Sequence, residues 1–192
     1  MTSIRLAQEE AADELLSRDP FALLAGMLLD QQVPMEKAFA GPRLIADRLG
    51  LTGLDPAVVA GTDPEAFTAV MAGPPAVHRY PQSMGARVQA LAQVVVDDYD
   101  GDAARIWTPV DSGAALFKRL TALPGYGAQK AKIFVALLGK QLDVRPTGWR
   151  AAAGDYGKAG FRSVADVVDG ESLTKVRETK RAAKAAAKAA TG

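Results

Sequence analysis

A short turn rich in proline and glycine constrains the fold of this chain more than any other sequence feature. Residues 123–127 read Leu-Pro-Gly-Tyr-Gly, and apolar residues recur at helical spacing before and after them. Proline ends the first helix, and glycine permits the positive φ that a tight turn requires. The pattern predicts two helices joined by a hairpin turn with outward-pointing amides. Such amides bind phosphate, although a helix cap and turn without a ligand would use the same residues.

Most of the remaining chain also predicts helices. Three Asp-Pro pairs, at residues 19–20, 55–56 and 63–64, combine an N-cap residue with a proline suited to the first helical turn. Apolar spacing predicts further helices over residues 4–17, 35–49 with a bend or interruption at 41–42, 83–99, 150–153 and 163–168. The flanks of the one strand candidate, Val94-Val-Val96, favour helix, so the sequence predicts an all-α fold.

Length and composition predict one globular unit or two small lobes with a shared core. The chain has 192 residues, 48% of them hydrophobic. No apolar run approaches the roughly 20 residues of a membrane span. The N-terminus also lacks the basic and apolar order of a signal peptide, so a cytoplasmic location is expected.

The chain contains no cysteine and a single histidine, His78. The lack of cysteine excludes disulfides, thiolate zinc sites and four-cysteine iron–sulfur clusters. With a single histidine, a metal site would have to be built mostly from oxygen ligands, and none from side chains is expected. His78 lies in a proline-rich connection and is interpreted as a loop residue.

Positive charge is concentrated towards the C-terminus. Residues 172–192 carry six cationic side chains and one acidic one, while the net charge of the whole chain is only +1. The segment is also rich in alanine, which favours helix. Residues 171–192 are therefore predicted to form a basic helix or tail, which would either follow a phosphate backbone or remain solvated.

Three signals occur in a fixed order between residues 20 and 150. They are a buried helix ending in Leu28-Leu-Asp-Gln-Gln32, a helix beginning Ser83-Met-Gly-Ala-Arg and followed by a Tyr-Asp-Gly turn, and Leu123-Pro-Gly-Tyr-Gly-Ala-Gln-Lys130. In this order they resemble the helix-hairpin-helix superfamily of base-excision DNA glycosylases. The resemblance implies two helical lobes, with DNA and a flipped base in the cleft between them.

The same resemblance implies a division of the chain into lobes. A single unit over residues 1–170 is expected to have a central lobe at about 31–110. Residues 1–30 and 111–170 would form the second lobe, which carries the hairpin at 123–127.

The resemblance also implies a set of DNA-binding residues. Gln31 and Gln32 would lie against DNA near the vacated base, because an amide both donates and accepts hydrogen bonds; otherwise they would satisfy carbonyls at the helix end. The remaining predicted DNA contacts are Gly125, Tyr126, Gly127, Gln129, Lys130 and Arg145. Arg79, Arg87 and Lys132 are further candidates for contacts with phosphate.

The residues expected to perform chemistry depart from the pattern of the superfamily. Gln129 stands where lyase members carry a nucleophilic lysine, and glutamine cannot form an imine. Lys130 is one residue further, turned by about 100° around the helix, and is expected to point away from the same cleft. Arg145 stands where a carboxylate is expected and favours binding of a phosphate or an abasic sugar. Asp143 is the candidate catalytic carboxylate, otherwise an exposed turn residue, and Asp30 would face the same cleft.

The absence of cysteine makes the cluster-free alkylpurine glycosylases the nearer analogue. No cofactor and no iron–sulfur cluster are therefore expected, while a monovalent cation on the hairpin carbonyls is compatible with the resemblance. The implied partner is damaged double-stranded DNA. The protein is expected to be monomeric, nucleoid-associated and without a membrane partner.

Two functions follow from these expectations. The first is a monofunctional DNA glycosylase that hydrolyses the bond to a damaged base without lysine-dependent lyase activity. The second is a non-catalytic module of the same fold that binds damaged DNA. A third, a fold used only for protein contacts, would show no salt-dependent affinity for duplex DNA.

Overall fold

The computed structural model describes residues 3–191, and the predicted all-α fold is confirmed there. Residues 1, 2 and 192 lie outside the described residues. The first two belong to the predicted unit 1–170 and the last to the predicted tail 171–192. The helices are α1 Glu10–Arg18, α2 Pro20–Leu29, α3 Met35–Arg48, α4 Pro56–Gly61, α5 Pro64–Ala72, α6 Pro81–Tyr99, α7 Gly113–Thr121, α8 Ala128–Gln141, α9 Trp149–Ala153 and α10 Gly170–Ala190. Short 3-10 helices span Ala103–Ile106, Gly154–Gly157 and Val164–Asp166.

The three Asp-Pro pairs begin helices as predicted. Asp19, Asp55 and Asp63 each accept hydrogen bonds from amides of the first turn of α2, α4 and α5. A proline occupies the next position in each helix, where no intrahelical amide bond is lost. Local chemistry therefore sets these three helix starts.

Two predicted helices differ from the structure. The first helix begins at Glu10 instead of near Ile4, because the preceding residues form an irregular segment with bends at residues 6–9 and bury Ile4 and Leu6 in the core. The helix is not interrupted at residues 41–42, since α3 continues through Pro42. A Cβ atom at Gly41 would lie 2.7 Å from Leu29 Cδ1, so α3 crosses α2 closely at this point.

Helix α2 lies at the centre of the fold. All of its residues from Phe21 to Leu29 are buried, which agrees with its apolar sequence. It packs against α3 and α6, while α7, α8 and α9 pack on one another. One cluster of buried apolar side chains runs from Ile4 to Val176. Helices α1 and α2 also lie against α3.

Candidate nucleic-acid interface

The hairpin at residues 123–127 folds as a tight turn against the end of α2. The amide of Tyr126 donates to Leu123 O at 3.1 Å, with Pro124 and Gly125 at the two central positions. Gly125 has a φ of 78°, which a type II turn requires at this position. A Cβ atom at Gly125 would lie 2.2 Å from Leu28 Cδ1. Both backbone conformation and close packing therefore demand glycine here.

The second helix of the motif, α8, begins with free amides. Gly127 is its N-cap residue and provides no side-chain hydrogen bond. The first helical hydrogen bond to this end runs from the Ala131 amide to Gly127 O at 3.0 Å. The amides of residues 128–130 have no acceptor among the described residues, and Gly127, Ala128 and Gln129 are exposed. These groups, at the positive end of the helix dipole, suit an anion.

The side chain of Tyr126 belongs to the core and not to the predicted DNA-contacting surface. It is only 4% exposed and packs edge-on against Phe134. Its hydroxyl donates to Leu24 O at 2.6 Å, and burial raises the pKa of the phenol well above its usual value. A DNA contact by this residue is therefore limited to its backbone.

The two glutamines after α2 have different environments. The Gln31 side chain donates to Leu28 O at 2.9 Å and accepts from Arg87 at 3.1 Å, so it is engaged within the protein. Gln32 is exposed and has a φ of 57°, which is uncommon for a residue other than glycine. Its only hydrogen bond within the described residues is a long one, 3.4 Å from the Tyr80 hydroxyl. Gln32 is thus the glutamine whose side chain is open to solvent.

His78 is hydrogen-bonded to the loop of residues 30–34, here called the glutamine loop. The ring is fully buried, which differs from its interpretation as an ordinary loop residue. Its Nδ1 accepts from the Tyr80 amide at 3.2 Å, so the proton is assigned to Nε2, which donates to Gln31 O at 2.9 Å. Burial lowers the pKa of the imidazole. This role depends on a partner 47 residues away in the chain, which no local sequence signal indicates.

A groove of about 860 Å³ opens beside the hairpin. Its walls come from the end of α2, the glutamine loop, the hairpin, the first turns of α8, residues 155–156, residues 162–163 and one side of α10. Gln129 lines it and donates to the Tyr156 hydroxyl at 3.0 Å. The groove therefore brings Gln31, Gln32, Gly125, Gln129 and Lys130 of the predicted set together.

Lys130 lies in the groove, contrary to the expectation that it would point away from the cleft of Gln129. Its ammonium donates to Met27 O at 2.5 Å and to Asp30 O at 3.2 Å. The long side chain reaches across to cap the last carbonyls of α2, where a cation is favoured. Burial lowers the pKa of Lys130.

Asp30 supplies a partly buried carboxylate to the groove. Burial raises its pKa, which the nearby Lys180 and Lys130 partly oppose. Within the described residues the Asp30 carboxylate takes part in no hydrogen bond and no ion pair. It is therefore available to a ligand.

Asp143 and Arg145 lie outside the groove. The Asp143 side chain is 80% exposed and forms an ion pair with Arg145 at 3.1 Å. Arg145 also donates from Nε to Gly139 O at 2.8 Å. The structure thus gives Asp143 the surroundings of an exposed turn residue, and it brings neither side chain to the residues that line the groove.

The additional phosphate candidates have separate surroundings. Lys132 lines the groove. The guanidinium of Arg79 lies 5.1 Å from the centre of the Tyr80 ring, close to the glutamine loop. Arg87 is occupied by Gln31. Lys132 and Arg79 are therefore better placed than Arg87 to neutralise a phosphate.

The hairpin also presents carbonyl oxygens. Those of Ala122, Pro124 and Gly125 accept no hydrogen bond within the described residues. They are the carbonyls to which the resemblance would assign a monovalent cation. Among residues 3–191 no group of three histidine, cysteine or acidic side chains is arranged to hold a metal ion. Over the same range every helix is too short or too polar to span a bilayer.

One continuous surface, here called the interface, is thus formed by the exposed amides of α8, the exposed Gln32 and the groove. Its interpretation depends on its own geometry and chemistry. No family model, no curated protein and no solved structure matches this chain.

Proposed function

We propose that the protein is a base-excision repair protein that binds damaged DNA through the interface and accommodates an extrahelical nucleotide in the groove. The observation that carries this proposal is the position of the free α8 amides beside the exposed Gln32, both at the groove. Amides at a helix start bind a backbone phosphate, and the adjacent glutamine is placed to meet the bases. The two-lobed glycosylase architecture is part of the same proposal.

Gln32 supports recognition of a gap in the base stack. Its amide both donates and accepts, so it pairs with an orphaned base or fills the space that the base leaves. The positive φ of Gln32 and the bond from His78 to the preceding carbonyl hold the loop in this position. The groove volume lies within the range of about 300–1,000 Å³ that is usual for ligand sites.

The first experiment compares binding to duplexes with and without a gap in the stack. We expect wild type to bind a duplex that contains an abasic site more tightly than an intact one. In Gln32→Ala the ratio of the two affinities is expected to be about tenfold smaller, which corresponds to about 1.4 kcal/mol. Fluorescence anisotropy at fixed salt measures both affinities. Gln8→Ala is the matched control, because Gln8 is also exposed and has a φ of 56°.

Retention of the full preference by Gln32→Ala would contradict the assigned role of the glutamine loop. A wild-type protein without salt-dependent affinity for any duplex would contradict the proposed function as a whole and would favour a fold used for protein contacts.

Excision of the base is a second candidate function, which the position of Asp30 favours. A carboxylate in the groove stabilises positive charge on the sugar and orients a water molecule. Asp30 is partly buried and has no partner, whereas Asp143 is exposed and paired. We therefore propose Asp30 in place of Asp143 as the carboxylate of a monofunctional glycosylase.

The second experiment tests base release from duplexes with alkylated, oxidised or deaminated bases. We expect Asp30→Asn to abolish release while binding is retained, and Asp143→Asn to behave as wild type. If wild type releases no base from the panel, the protein is a binding module. A covalent adduct trapped with borohydride would contradict the absence of lyase chemistry, since Gln129 cannot form an imine and Lys130 caps α2.

A further inference from the structure

Helix α10 is anchored at its start. Leu173 and Val176 are buried in the core, and Asp169 caps the first turn. Arg177 forms an ion pair with Glu36 of α3. These contacts fix the direction in which the rest of the helix extends.

The second half of α10 extends away from the core. All residues from 178 to 191 are exposed, so about 20 Å of helix buries no face of its own. Its alanine-rich sequence favours helix without help from packing. Core stability therefore does not explain this part of the helix.

Five of the six cations of α10 occupy one side of the helix, and Lys175 lies on the opposite side. With about 100° per residue, these five lie within a sector about 100° wide. This basic stripe consists of Arg177, Lys180, Arg181, Lys184 and Lys188. Glu178 lies outside the sector, so the stripe itself contains no acidic residue, although Arg177 at its start is paired with Glu36.

The basic stripe begins at the groove. Lys180 lines the groove together with Thr179 and Ala183, and its charge acts on Asp30 across it. The other cations of the stripe follow on the same side of the helix, at increasing distance from the groove. The stripe therefore extends the surface that carries Gln32 and the hairpin.

We propose that the basic stripe is a second DNA contact, which follows the phosphate backbone of the duplex that flanks the nucleotide in the groove. This inference rests on the proposed function. A row of cations on a rigid helix matches a regular row of phosphates. The rest of the projecting half is mostly alanine and lacks the large apolar side chains with which amphipathic helices enter a membrane.

The test removes three cations of the stripe that do not line the groove. The variant Arg181→Gln, Lys184→Gln, Lys188→Gln retains good helix formers. We expect the slope of log affinity against log salt concentration to decrease by about 2.7, because each phosphate contact contributes about 0.9. The preference for an abasic duplex is expected to remain, since Gln32 is intact.

The control variant Arg5→Gln, Lys118→Gln, Arg150→Gln removes the same charge from exposed positions that lie outside the groove and pair with no carboxylate of its walls. We expect it to keep the wild-type slope. If wild type binds DNA and the stripe variant has the same slope as wild type, the inference is wrong while the proposed function stands. If wild type binds no DNA, both fail.

A second measurement compares the binding of wild type and of the stripe variant to vesicles of phosphatidylglycerol and phosphatidylcholine. We expect no difference in vesicle binding between wild type and the stripe variant. Vesicle binding that is lost in the stripe variant, with an unchanged DNA slope, would assign the stripe to a membrane surface and overturn the inference.

Discussion

Gly125 and Gly127 lie two residues apart in the hairpin but have different reasons to be glycine. Gly125 combines a positive φ with a close contact to Leu28. Gly127 has an ordinary φ of −76°, and a Cβ atom there would meet nothing within 4 Å. The first glycine is therefore required by the fold, whereas the second leaves open the surface beside the free amides of α8.

This difference predicts opposite effects of two alanine substitutions. Gly125→Ala is expected to lower the free energy of unfolding by at least about 2 kcal/mol, because the backbone is strained and the methyl group overlaps Leu28. Gly127→Ala is expected to change it by less than about 1 kcal/mol but to weaken DNA binding, since the methyl group obstructs a phosphate. Urea denaturation and anisotropy measure the two quantities. Equal loss of stability in both variants would contradict this assignment.

His78 predicts a pH effect on stability. Burial lowers the pKa of the ring below its ordinary 6.5. The unfolded chain therefore binds the proton more readily, so stability is complete above pH 6.5 and decreases as the pH falls towards the native pKa. Because the chain has one histidine, a single imidazole titration is expected in NMR spectra, with its midpoint below 6.5. A midpoint at or above 6.5 would contradict the buried, neutral ring.

At the scale of elements, the Asp19 carboxylate both caps a helix and bonds to a segment distant in sequence. Its Oδ1 accepts from the Ala22 amide at 3.0 Å, which caps α2. Its Oδ2 accepts from the Leu54 amide at 2.6 Å, which fixes the connection before α4. The sequence predicts the cap, but only the packed structure shows the second bond.

Substitution of this cap is expected to cost more than substitution of a simple cap. Asp19→Ala should lower the free energy of unfolding by about 2 kcal/mol, with about 1 from the cap and about 1 from the bond to Leu54. Asp63→Ala, which removes only the cap of α5, should cost about 1 kcal/mol. Urea denaturation of both variants measures the difference. Equal losses would show that the Leu54 bond contributes nothing.

The residues that sequence reasoning placed correctly are those whose role is local. The Asp-Pro helix starts and the hairpin turn depend on neighbours within a few positions. Tyr126, His78 and Lys130 depend on partners far away in the chain, such as the Tyr126 bond to Leu24. Their burial and direction follow from packing, which periodicity does not specify.

At the scale of the whole molecule, one core connects all the helices. The buried cluster includes Ile4 near the N-terminus and Val176 in α10. Helix α2 contacts α3 and α6 and also receives the hairpin. Segments near both ends of the described chain therefore share one buried cluster.

This connection predicts a single cooperative unfolding transition. Calorimetric and van't Hoff enthalpies should agree, because no group of helices retains its core after the others unfold. Differential scanning calorimetry tests the prediction. Two resolved transitions, or a calorimetric enthalpy well above the van't Hoff value, would show that the helix groups unfold independently.

The burial of α2 on all sides has a consequence for how the interface evolves. The glutamine loop is the direct continuation of this helix, and Lys130 fastens the helix end to α8. A substitution deep in α2 would therefore shift the residues proposed to meet DNA, even though it touches no ligand. The buried residues of α2 therefore contribute both to the stable core and to the position of the glutamine loop. We expect substitutions at these buried positions to be tolerated least.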